Sequence, residues 1–113
     1  MKVIFHIDEL KKWELTIGNV KNMLLYGKEN HEAYTIEIVA NAEAVECLCH
    51  RNDEFQAVME KLSEDGVSIT ACHHALMSRG ISNGELYSFV EVVPAGVVEL
   101  AKKQQEGYSY IKP

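Results

Sequence analysis

Apolar positions along the chain switch repeatedly between two periods. Lys2-Val3-Ile4-Phe5-His6-Ile7 is a nearly continuous apolar run with β-branched members, which predicts a strand buried on both faces and ended by Asp8-Glu9. Trp13, Ile17, Val20 and Leu24 recur at helical spacing and predict an amphipathic helix over residues 13 to 26, closed by Gly27. Trp13 and the Leu24-Leu25 pair are expected in the core. Tyr34 to Ala40, with Ile36, Ile38 and Val39, reads as a second strand, and a short helix from Ala42 to His50 follows. Asn52-Asp53 reads as the N-cap of a helix whose apolar face is Phe55, Val58, Met59 and Leu62, stopped by Asp65-Gly66. Val67 to Ala71 predicts a third strand leading directly into Cys72 and a helix that opens at His73-His74. Arg79-Gly80 and Asn83-Gly84 punctuate the loop beyond. The fourth strand falls within Leu86 to Val93 and Pro94 stops it. Val97, Val98 and Leu100 mark a last helix ending at Gly107, and Tyr108 to Ile111 alternates as a fifth, edge strand.

Strand followed by helix, repeated, implies an α/β fold: a mainly parallel five-stranded sheet with right-handed crossovers and helices on both faces. At 113 residues the chain forms one domain, residues 1–113, with apolar residues for a single core. Ligands of open parallel sheets collect beyond the carboxyl ends of the strands. Those ends are Asp8-Glu9, Asn41, Cys72 and Pro94-Ala95-Gly96.

Charge and composition narrow the function. A net charge of −6 without any Lys/Arg cluster argues against nucleic acid, whose phosphates require a basic stripe, and against acidic partners. No apolar stretch approaches the roughly 20 residues that span a bilayer, and Val3-Ile4-Phe5 is interrupted too soon for a signal peptide. A cytoplasmic protein is expected. Three cysteines, an odd number, fit reduced thiols rather than a disulfide framework. No Gly-rich phosphate loop follows a strand, and no cofactor is expected.

Cys72 carries the candidate chemistry. A thiol at a strand-to-helix turn faces free backbone amides and the positive end of a helix dipole, a setting that favours thiolate. The same residue also reads as a small buried hydrophobe. A protonated His73 or His74 near the sulfur would favour the thiolate, and Arg79 would attract an anionic donor. Neighbours in sequence diverge around a helix, so at most one of the two histidines is expected to face the thiol. Cys47-Leu48-Cys49-His50 does not suit a metal, because residues two apart on a helix point to nearly opposite sides. One of Cys47 and Cys49 is expected in the core and the other at the surface. Asp8, Glu9 and Glu43 read as helix-start acids.

The chain resembles the DsrE/DsrF-like proteins, which include sulfur-relay subunits of the TusD type. The likeness lies in Lys2-Val3-Ile4-Phe5-His6-Ile7-Asp8, Glu37-Ile38-Val39-Ala40-Asn41, Gly66-Val67 and Val93-Pro94-Ala95-Gly96-Val97, and most specifically in Cys72 with Ala75 and Arg79-Gly80-Ile81. The resemblance implies a three-layer α/β/α sandwich, flavodoxin-like in outline, assembled as a homotrimer or hexamer. It also implies a persulfide carried on Cys72 and sulfur exchanged with a donor or acceptor protein. His73, His74, Arg79 and the strand-end Asn41 are, from their own positions, the residues expected to line the substrate position. The alternative is a non-catalytic interaction, regulatory or small-ligand-binding protein of the same fold. Met77, Leu86, Tyr87 and Phe89 are expected to form an apolar patch covered by a neighbouring subunit.

Overall fold

The computed structural model describes all residues from Met1 to Pro113. Five strands form one wholly parallel sheet: β1 (Lys2–Ile7), β2 (Thr35–Ala40), β3 (Ser68–Cys72), β4 (Val90–Val93) and β5 (Ser109–Ile111), in the order β4-β3-β2-β1-β5. The helices are α1 (Trp13–Glu29), α2 (Gln56–Glu64), α3 (His73–Ser78) and α4 (Gly96–Gln105). From β1 to β4 the chain always steps to the next strand in the same direction. Right-handed crossovers therefore lay α1, α2 and α3 on one face. The return from β4 to β5 runs the other way and carries α4 over the opposite face.

Side-chain alternation divides the core accordingly. Val3, Phe5 and Ile7 of β1 join Trp13, Ile17, Met59, Leu62 and Leu76 in the main core, whereas Ile4 and Val39 pack with Leu100 of α4. Trp13 is fully buried and its indole Nε1–H donates to the Ala44 carbonyl at 2.9 Å, tying α1 to the segment after β2. On the α4 face Glu37 is 4% exposed; it accepts a hydrogen bond from Thr70 at 3.1 Å and faces Lys103 at 3.9 Å.

Several local expectations are corrected. Gly27 does not close α1, which runs on to Glu29. It lies where Glu32 and Tyr34 pack so closely that a Cβ would meet the Glu32 carbonyl oxygen at 2.8 Å. Leu25 is exposed, because it falls off the buried stripe that Trp13, Ile17 and Val20 define. Residues 42–48 form a 3₁₀ rather than an α-helix, and Cys47 and Cys49 are both buried, the latter in a bridge with Leu86. Asn52 does not cap α2 but closes a tight turn with its Oδ1 on the Glu54 amide. Nor do the acids cap. Asp8 pairs with Lys112 at 2.9 Å and Glu9 with Lys11, and neither the start of α1 nor the 3₁₀ segment has a side-chain cap. Tyr87, instead of lining an exposed patch, is 3% exposed with its hydroxyl donating to the Asn52 carbonyl. The fourth strand does fall within the expected stretch, at Val90–Val93.

Candidate functional site

Strand order locates the site. β3 and β4 are neighbours, yet the chain leaves β3 towards one face, into α3, and leaves β4 towards the other, into α4. Adjacent strands with diverging connections leave a crevice at their carboxyl ends, the position where open α/β sheets bind ligands. Cys72 ends β3 there, paired in register with Val93. It also occupies the cap position of α3, where its side chain makes no capping hydrogen bond. It is 7% exposed, at the rim of the main core.

The register then fixes its neighbours. Ile7, Ala40, Ala71 and Val92 lie side by side, so Asp8, Asn41, Cys72 and Val93 form the next row. Strand spacing puts the Asn41 and Cys72 Cα atoms about 5 Å apart. The Asn41 side chain lies against Gly96, the first residue of α4: a Cβ there would stand 2.1 Å from Asn41 Oδ1. Since β3 lies between β4 and β2, the link from β4 to α4 must pass over the end of β3 to bring Gly96 to Asn41. The structure thus brings together Cys72, Asn41 and the Pro94-Ala95-Gly96 link.

The other predicted residues are spread along α3. His73 and His74 hold its first two positions, half-buried and exposed, with ring centroids 6.1 Å apart. Arg79 caps the far end of α3, about 10 Å from Cys72 along the axis. Its Nε is buried without a hydrogen-bond partner. The Gly80-Ile81 part of the motif has a structural cause. Gly80, at φ 61°, donates to Met77 O, while Ile81 donates to Leu76 O and is itself buried, which is the hydrogen-bond pattern that ends a helix at a glycine. Arg51, which the sequence did not single out, clamps this turn by donating to the carbonyls of Arg79 (3.1 Å) and Gly80 (2.6 Å) while paired with Glu85.

Behind Asn41 stands a polar chain that sequence reasoning missed. Asn41 Nδ2 lies 3.2 Å from His6 Nε2, and His6 Nδ1 lies 2.8 Å from the Tyr110 hydroxyl. Burial lowers the His6 pKa; nearby Asp8 opposes that shift and Lys112 adds to it. Asp8 is itself held below the usual carboxylate range, chiefly by the hydrogen bond from Lys112. The available signal was His6 interrupting an otherwise apolar run. Burial pushes the Cys47 thiol up to about 11, which leaves it protonated at neutral pH. A hollow of about 260 Å³ lined by His50, Glu60, Tyr87 and Phe89 includes none of the strand-end residues. No helix is long and apolar enough to cross a membrane.

Comparison with solved structures finds the same fold. A protein of unknown function from Methanobacterium thermoautotrophicum superposes with a TM-score of 0.89 at 32% identity, over 99% of this chain and 98% of that one. The ychN protein of E. coli gives 0.78 at 17% identity, over 100% and 99%. A conserved protein of unknown function from Bacteroides thetaiotaomicron gives 0.77 at 13%, over 99% and 94%. No curated protein matches the chain. The profile of the DsrE/DsrF-like family matches residues 4–113, and the chain belongs to that family.

Proposed function

We propose that the protein is a sulfur carrier that holds sulfane sulfur as a persulfide on Cys72 and passes it to a partner thiol. The observation that carries this reading is the placement of Cys72, in a family associated with sulfur relay, at the crevice between the diverging ends of β3 and β4. The Cys72 thiolate attacks the sulfane sulfur of a donor such as thiosulfate; a new S–S bond forms, and the donor's S–S bond breaks with sulfite leaving on its electron pair. An acceptor thiolate then attacks the outer sulfur and Cys72 leaves as thiolate, so no net oxidation occurs. Such chemistry asks for access and anion stabilisation rather than a general base. His73 stands nearest in sequence to the sulfur and His74 is open to solvent. Arg79, a helix length away and in no ion pair, attracts an anionic donor rather than gripping it. The low exposure of Cys72 favours one second reading, a non-catalytic interaction or small-ligand-binding protein with a structural thiol.

Incubation with thiosulfate or polysulfide, followed by mass mapping, separates the two. Added sulfur is expected on Cys72 and lost in Cys72→Ser; sulfur on Cys47 or Cys49 alone, or none, would overturn the carrier reading. The carrier is further proposed to act in the cytoplasm as a homotrimer or hexamer, with a sulfur donor or acceptor protein as partner. With Tyr87 buried and Leu86 and Phe89 half-buried, Met77, at 65% exposure, is the most open of the four apolar residues expected to face a neighbouring subunit. Light scattering giving a mass near 12.7 kDa would exclude the oligomer.

A further inference from the structure

Two hydrogen bonds determine how Asn41 presents itself beside Cys72. An amide nitrogen donates and does not accept, so His6 Nε2, 3.2 Å from Asn41 Nδ2, is the unprotonated ring nitrogen. The ring proton then sits on Nδ1 and is donated to the Tyr110 hydroxyl at 2.8 Å. In this arrangement the Asn41 amide keeps Nδ2 towards His6 and Oδ1 against Gly96, where there is no room for a Cβ. One amide hydrogen of Asn41 stays uncommitted at the end of β2, next to Cys72 in the strand-end row. Strand spacing puts the Asn41 and Cys72 Cα atoms about 5 Å apart.

We propose that His6 is a positioning residue of the Cys72 site, acting through Asn41, whose amide donates to the negative charge of a donor or persulfide at Cys72. The proposal rests on the sulfur-carrier reading for its substrate but concerns anion preference, which is measured without sulfur chemistry. It also gives the edge strand β5 a part in the site, since Tyr110 supplies the far end of the chain. The groups facing His6 are Asp8 just after β1, Asn41 just after β2, Tyr110 of β5 and Lys112 just after it; Lys112 is already paired with Asp8 at 2.9 Å. Proton uptake by His6 turns Nε2 into a donor, which must reject Nδ2 and take Oδ1, so the amide turns over and its oxygen replaces the tethered nitrogen.

The test compares alkylation of Cys72 by iodoacetate, an anion, and by iodoacetamide, its neutral analogue. Both need the thiolate, so their rate ratio cancels the thiolate fraction and reads anion stabilisation alone. The ratio is expected to fall roughly ten-fold in His6→Leu, the loss of one charge-assisted hydrogen bond. His6→Gln, whose side-chain oxygen can accept from Asn41, should hold the ratio within about two-fold of wild type. The wild-type ratio is expected to fall on acidification with a midpoint below the usual histidine value, and His6→Gln should abolish that inflection. Nitrogen-15 shifts of His6 in the wild-type protein should show the proton on Nδ1, a readout independent of variant folding. An unchanged ratio in His6→Leu, or a neutral ring protonated on Nε2, overturns the proposal. A ratio that behaves as expected while thiosulfate leaves Cys72 unmodified overturns the sulfur-carrier reading and keeps His6 as the positioning residue of an anion site.

Discussion

Replacing Gly96 by alanine separates the site from the fold. Its Cβ would stand 2.1 Å from Asn41 Oδ1, 2.7 Å from Cγ and 2.8 Å from Nδ2, all on a single movable side chain, with no backbone atom among the nearest contacts. Asn41 therefore yields and the backbone stays. The cost is the Asn41–His6 hydrogen bond, about 1 kcal/mol net. Against this, alanine is favoured over glycine in a helix by up to about 1 kcal/mol, less at a first residue. The two nearly cancel, so the thermal midpoint should move by no more than about 4–8 °C, the shift expected for 1 kcal/mol in a domain of this size. Chemistry at Cys72 should respond differently: with Asn41 displaced, the iodoacetate-to-iodoacetamide ratio should fall as in His6→Leu while the iodoacetamide rate holds. Differential scanning calorimetry and the two alkylation rates are the assay. A loss of several kcal/mol would show that the α4 start cannot be relieved by moving Asn41. A preserved ratio, with NMR confirming that the Asn41 amide has moved, would remove Asn41 from the site.

Three further outcomes follow from the packing. Gly27→Ala should destabilise by about 1–2 kcal/mol in urea unfolding, because the new methyl meets the Glu32 carbonyl and the Tyr34 ring, and overpacking outweighs the gain in helix propensity. Trp13→Phe should cost about 3 kcal/mol in the same assay, since it strands the Ala44 carbonyl and leaves a void at a fully buried position. Glu37 is pushed up to about 8, first by burial and then by neighbouring Glu99, against an ordinary value of 4.5. Because the folded value is the higher one, its contribution to stability is complete below about pH 4.5 and is lost as pH rises through 8. Stability measured by urea midpoint should accordingly decline over that window by up to about 1.4 kcal/mol per pH unit, and Glu37→Gln should flatten the decline.

The strands and most helix ends were legible because each follows from residues close in sequence. A nearly continuous apolar run gave β1 and β-branched stretches gave β2 and β3, and the glycine stops at Gly66 and Gly107, both at positive φ, ended α2 and α4 as expected. Gly27 misled because a glycine serves equally as a helix stop and as a place of close packing, and only Tyr34, seven residues on, distinguishes the two. The Cys47–Cys49 segment misled for a related reason. Helical spacing would have put one cysteine outside, but the 3₁₀ segment ends between them and Cys49 turns into a bridge with Leu86.

The site was half legible, and the missing half shows why. Cys72 and Asn41 could be placed because both end strands whose sequence announces them, and because ligand crevices lie at strand ends in any parallel sheet. That the crevice belongs to β3 and β4 depends on where the strand order reverses, and no local pattern encodes it. The same reversal sends α4 back across the opposite face and delivers β5 beside β1, which is how Tyr110 comes to meet His6 over a separation of 104 residues. His6 alone among the β1 side chains facing α4 lies at the carboxyl end, since Lys2 is at the other end and Ile4 packs under Leu100. A polar residue at that one position of an apolar strand is therefore to be read with the strand that will lie beside it. In this fold that strand is β5, so the support of Asn41 depends on the pairing of β5 with β1.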